Sequence, residues 1–230
     1  MQIWNWSGFF SYLFNPYILN GVLTTVWLTV VSLIGGLFLG FVIALMRRSK
    51  MGLMTGIAKF YIWLFRGTPL LVQLIVIYTA LPQMGIRFSV IEAALLGLAL
   101  NEAAYLAEII RAGINAVPEG QTRAGRALGM TERSIMRHIV MPQAFKIIIP
   151  PLGNSVNGLL KTTSVTSVIS MEELLRRTQV LIQEKFMVLE LFAVAAIYYL
   201  LLTTVWDFVQ RRIEKKFGQS TKQLSLDEQR

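Results

Sequence analysis

The sequence predicts an all-α, polytopic membrane protein with about five transmembrane helices, and three observations carry that prediction. Hydrophobic residues are 54 % of the 230 and charged residues 15 %, whereas a soluble domain carries about 25 % charge. Mean hydropathy is +0.56. Five apolar runs each reach the length a bilayer demands, about 20 residues, and the basic residues cluster in alternate segments between them. Other classes fall away at once. With no cysteine there is no disulfide scaffold, thiol nucleophile, iron–sulfur cluster or thiolate zinc site. A single histidine, His138, leaves no His-rich metal cluster and no nucleophile–base–acid set.

The elements follow in chain order. Residues 1–46 hold no Asp, Glu, Lys or Arg, so no basic stretch precedes the first apolar run and an ordinary cleaved signal peptide is not expected. Residues 1–17 form an outer N-terminal segment, where Trp4, Trp6, Tyr12 and Tyr17 suit an interfacial aromatic belt. The first span covers 22–46 and stops at Arg47, Arg48 and Lys50; its Gly35, Gly36 and Gly40 form a small-residue face for close helix contact. A second span covers 60–81, interrupted by Arg66 and Pro69. Arg66 lies seven residues past Lys59, roughly 10 Å deep by helical rise, and is read as an anchor that snorkels to the inner interface. A third span covers 88–110 with Glu92, Asn101, Glu102 and Glu108 inside it, a fourth 147–169, and a fifth 188–209. No internal repeat is visible, which argues against an inverted-repeat transporter. Residues 214–230 read as a polar cytoplasmic tail, disordered over its last stretch.

Orientation follows from Lys and Arg, which stay on the cytoplasmic side. With the N-terminus outside and the C-terminus inside, 16 basic residues face the cytoplasm and 4 face outward. That bias accounts for the net charge of +9 and makes a nucleic-acid partner unnecessary.

The long inner segment, 113–146, has a helix–break–helix pattern. Pro118 suits a first turn and Glu119 the positive end of a helix dipole. Residues 120–128 can be helical and Gly129 stops them. Thr131 reads as the N-cap of a return helix that ends near Pro142. Either this is a solvated loop beside anionic headgroups or it docks a cytoplasmic partner. Within the spans, Asn154, Asn157, Lys161 and Ser164 recur at helical spacing on one face, as do Asn101, Tyr105 and Glu108. Such polar faces avoid lipid. They serve either as interhelical glue or as the lining of a translocation path. Glu108 and Arg111, three apart, are expected to form a structural ion pair. No G-x-x-x-x-G-K-[ST] motif occurs; the nearest, Gly153 to Gly158, is followed by Leu159.

The stretch from Gly120 to Pro142 resembles the EAA loop of ABC importer permeases. Ala124, Gly129, Ile139 and Pro142 fall in register, while Arg123, Gly125 and Met141 stand where that pattern has Glu, Ala and Leu. Gly120 and Leu128 belong to the same stretch. Three further segments resemble the polar amino acid branch of that family: Arg66-Gly67-Thr68-Pro69-Leu70-Leu71-Val72-Gln73, Ala104 to Arg111, and Leu160-Lys161-Thr162-Thr163-Ser164-Val165. The resemblance covers 18–213. It implies a non-catalytic permease subunit in the bacterial inner membrane, paired as a homodimer or heterodimer. It also implies two ATPase subunits docked on the 113–146 loop, an extracytoplasmic solute-binding protein and an amino acid substrate. ATP would be bound by the partner and no cofactor by this chain. An importer for another small solute, or an ATPase-independent channel or scaffold, are the alternatives.

Overall fold

The computed structural model describes residues 4–218, and the tail predicted beyond them lies outside the described residues. A short helix, α1 (Trp6–Leu13), precedes the long α2 (Pro16–Arg47). The start of α2 is set locally: the Asn15 side chain accepts from Tyr17 N at 2.8 Å, and Pro16 occupies the first turn. There follow α3 (Gly52–Gly67), α4 (Leu70–Ile75), α5 (Val90–Asn115), α6 (Glu119–Ala127), α7 (Glu132–Ile135), α8 (Met141–Thr162), α9 (Leu174–Lys185) and α10 (Val188–Gly218). Among the described residues α2, α5 and α10 are long and apolar enough to cross a bilayer, and the bent pair from Gly52 to Met84 makes a fourth such unit. In α8, residues such as Lys146, Asn154, Asn157 and Lys161 dilute the apolar composition.

The most extensive pairing among the described helices is α2 on α5. A Cβ on Gly40 would lie 2.9 Å from the Ala103 carbonyl oxygen, so only glycine lets the two backbones approach this far. Three buried clusters follow one another along the bundle. One, around Ile43, Ala107, Ile114, Ile135 and Ile148, sits at the α6–α7 end. A middle one joins Leu28, Leu74, Leu98 and Leu159. The third joins Phe9, Ile18, Leu174, Leu191 and Val194 at the far end. Many large apolar side chains stay exposed around the outside, among them Phe38, Phe60, Leu200 and Val205, as expected of helices whose solvent is lipid.

Two prolines act in opposite ways. The span expected as one run over 60–81 is broken at Thr68–Pro69, and the two halves meet at 103°. Thr68, preceding proline, is extended at φ −117, ψ 144. The return helix, by contrast, does not end near Pro142. It continues from α7 through a π turn, Met136–Val140, directly into α8. Met141 N donates to Met136 O, one residue further back than in an α-helix. That wider turn shifts the ladder past the proline, which has no N–H to contribute. The same device precedes Pro82, where Leu81 N donates to Val76 O.

Three further features differ from the sequence reading. The fourth span is α-helical only to Thr162; Thr163–Ile169 tightens to a 3₁₀ helix that Ser170 ends in the left-handed region, at φ 65. Residues between the fourth and fifth spans fold into α9, whose N-cap Glu173 is fully buried and accepts from Arg176 N and Tyr199 OH. Finally, α10 continues to Gly218, so 214–218 are helical.

Candidate coupling segment and polar cleft

The α6 segment is shaped by its own neighbours. Pro118 takes the N-cap and Glu119 opens the helix. Leu128 is the C-cap, and Gly129 follows at φ 75. Gly129 N donates to Arg126 O and Met130 N to Gly125 O, a helix stop that needs a left-handed residue. Thr131 Oγ1 then accepts from Ser134 N at 3.3 Å and starts α7. Gly125 is buried against the return helix: a Cβ there would lie 2.9 Å from Ile135 Cγ1 and 3.0 Å from Ile139 Cδ1. Arg126 pairs with Glu132 at 2.5 Å and Arg123 with Glu119 at 2.7 Å, all exposed. The Arg126 guanidinium holds the Glu132 carboxyl below its usual range. Facing outward are Gly120, Arg123, Ala124, Ala127 and Leu128, the last 81 % exposed. This is a rigid, half-apolar knob at one end of the bundle.

The second site is built at the Thr68–Pro69 break. Breaking a helix inside the bundle orphans carbonyls that water would otherwise satisfy. Gln73 Nε2 donates to Phe65 O at 3.0 Å, Thr68 O at 3.1 Å and Thr68 Oγ1 at 2.9 Å. Asn101 Nδ2, from α5, donates to Phe65 O and to Gln73 Oε1, both at 3.1 Å. Asn101 is thus a cap for the broken helix. The break leaves a cavity of about 570 Å³ lined by Arg66 to Leu70, by Asn101, Glu102 and Tyr105 of α5, and by Ser155, Gly158, Leu159 and Thr162 of α8. A second cavity of about 680 Å³ continues toward the α6 end. It shares Arg66, Tyr105 and Ser155 and adds Glu108, Pro151 and Asn154.

Opposite charges line this polar column. The Arg66 guanidinium lies over the Tyr105 ring, 5.2 Å from its centroid. Glu102 is 8 % exposed and accepts from Ser155 Oγ. Among the described residues Arg66 and Glu102 are not ion-paired with any group. Glu108 pairs with Arg111 at 2.7 Å near the C-terminal end of α5, with Arg47 4.0 Å away.

The four-residue face expected on the fourth span is divided. Asn154 lines the second cavity and also accepts from Gln210. Asn157 turns to α10, donating to Asp207 at 2.5 Å. Lys161 is exposed and lines neither cavity. Ser164 donates to Lys161 O in the 3₁₀ segment. Arg66 sits beside the break and lines both cavities. Sequence reasoning did not assign Glu102 or Ser155. The signal for Glu102 was available, since a mid-span carboxylate seldom lacks a function.

A broken-span helical bundle with a polar column and a helix protruding at one end describes a multi-pass membrane transport subunit. The chain belongs to the family of binding-protein-dependent transport system inner membrane components, whose match covers residues 36–219. It is 40 % identical to the arginine transport system permease protein ArgU of Corynebacterium glutamicum, over 97 % of this chain and 76 % of that one. The putative glutamine transport system permease protein GlnP of Rickettsia bellii is also 40 % identical, over 90 % of this chain and 98 % of its own length. Among solved structures, a chain from an amino acid ABC transporter crystallised with histidines superposes with a TM-score of 0.89 at 36 % identity, covering 94 % of this chain and all of that one. A methionine ABC transporter, MetNI, in an inward-facing conformation shares the fold at a TM-score of 0.74, with 18 % identity, 87 % of this chain and 96 % of that one covered.

Proposed function

We propose that this chain is the membrane-spanning subunit of an ATP-driven importer of polar amino acids, set with its N-terminus outside and its C-terminus in the cytoplasm. The observation that carries the substrate class is Arg66 and Glu102 lining one cavity without pairing to each other. A free amino acid presents a carboxylate and an ammonium group. Arg66 offers a planar fork for the carboxylate, and Glu102 a buried acceptor for the ammonium. Tyr105, Thr68 and Asn101 supply polar contacts to the remainder. The relatives named for arginine and glutamine transport support the same substrate class.

In this reading ATP is bound by two separate ATPase subunits, which seize α6 through Ala124, Ala127 and Leu128. Their closure moves α6, and the unbroken path from α7 through the π turn into α8 carries that displacement to Ser155 and Thr162 in the cleft. A second permease, identical or related, completes the channel, and an extracytoplasmic binding protein delivers the solute. This chain needs no cofactor of its own. The test is uptake of a labelled polar amino acid by the reconstituted complex. Glu102→Gln and Arg66→Gln are each expected to lower uptake at least about tenfold, by weakening a charge-assisted contact, while the ATPase still co-purifies. Uptake unchanged in both variants would remove the cleft from the mechanism.

A further inference from the structure

We propose that the inner ends of α8 and α10 form a binding site for an anionic phospholipid of the leaflet on the α6 side. A cavity of about 580 Å³ lies there. Its walls are apolar, from Phe145, Ile149 and Leu152 of α8 and Phe217 of α10, and its two cations are Lys146 and Lys216. Lys146 is half-buried, its aliphatic stem free to pack on the apolar wall while the ammonium reaches the headgroup level. Among the described residues neither lysine is ion-paired with an acid.

The position on α8 says what this cavity faces. At about 100° per residue, Phe145, Ile149 and Leu152 fall on the side of α8 opposite Pro151 and Asn154, which line the polar column. The site therefore looks away from the solute path and toward the surroundings of the bundle. Exposed Phe145 and Phe217 continue the apolar wall outward. A second copy of the chain is a poor occupant, because Arg211, Arg212 and Lys215 crowd the same end of α10 and like charges would meet. An acyl chain against the apolar wall, with its phosphate between the lysines, satisfies both halves of the cavity. Basic pockets between helices at the headgroup level bind anionic headgroups for this reason.

The site is independent of what the cleft transports. Its test is native mass spectrometry of the permease–ATPase complex released from detergent, titrated with dioleoyl-phosphatidylglycerol or dioleoyl-phosphatidylcholine. One phosphatidylglycerol per permease chain should persist at least about tenfold more tightly than phosphatidylcholine. The double variant Lys146→Gln with Lys216→Gln should bind it about 25-fold more weakly, roughly fivefold per cation. Ile149→Trp keeps both charges but fills the cavity, and should lose the lipid as well. Lys215→Gln, outside the cavity, should retain it. Equal binding of the two lipids, an undiminished double variant, or displacement by glycerol 3-phosphate at equal concentration would each overturn the proposal.

Discussion

The contacts that shape α6 join residues close in sequence, whereas the cleft also needs contacts between residues far apart. Glu119 meets Arg123, Arg126 meets Glu132, and Gly125 meets Ile135 and Ile139. In the cleft, Phe65 is capped by Asn101, and Glu102 is met by Ser155, 53 residues later. The α6 segment takes its shape from turn chemistry and from packing on its own return helix, whose Ile135 roots it in the bundle, so α6 can serve as a handle. The cleft exists only once three helices have packed, so it changes shape whenever they move. A transporter needs both kinds of region: one whose form survives being pulled, and one whose form does not.

The variant expected to break this contrast most visibly is Gly129→Val. Nothing surrounds the position within 4 Å, so the penalty is backbone strain alone, about 1–3 kcal/mol for a β-branched residue at positive φ. The helices should still insert, because the strain lies in a local loop. Pull-down of the ATPase should fall sharply and uptake should vanish. Normal uptake with the ATPase still bound would end the coupling role of the segment.

A smaller effect, of the opposite kind, is expected from Gln73→Ala. It removes the side chain that caps Phe65 and Thr68 at the break, leaving half-buried carbonyls short of a donor at a cost of about 1 kcal/mol. Thermal unfolding of the detergent-solubilised complex should come at lower temperature, with α6 still able to hold the ATPase. An unshifted melting temperature would mean that Asn101 alone suffices to cap the broken helix.

The smallest effect concerns pH. The Glu132 carboxyl is held below its usual range by Arg126. A depressed acid stabilises above its unfolded pKa and loses that contribution only as pH falls through the depressed value. Both side chains are exposed, and such pairs matter little. ATPase association should therefore be flat from about pH 8 to about pH 6, well above the carboxylate range. A marked fall within that interval would point to another titrating group at the interface.

The same contrast explains what could be read from the sequence. The apolar runs within α2, α5 and α10 were legible because lipid leaves a helix little choice of composition. The α6 segment was legible because Pro118, Glu119, Gly129 and Thr131 act on their immediate neighbours. Pro142 misled, because its effect depends on whether the helix can widen to a π turn, which no single residue reveals. The α9 helix was missed because Arg176, Arg177, Gln183, Glu184 and Lys185 give it the composition of a loop. Arg66 and Glu102 lie on separate helices, and only the 103° break brings them to one cavity; helical spacing within a span cannot register such a pairing. Lys161 reads from the sequence as a mid-span charge on a polar face, yet it is exposed and lines neither cavity.

The most direct test of the central claim is solute accumulation in vesicles that contain this permease with its ATPase, supplied with ATP inside and the binding protein outside. The expected result is uptake of a labelled polar amino acid against its gradient, lost when ATP, the ATPase or the binding protein is withheld. Downhill flux that proceeds equally well without ATP or the ATPase would contradict it, and would make the chain a channel.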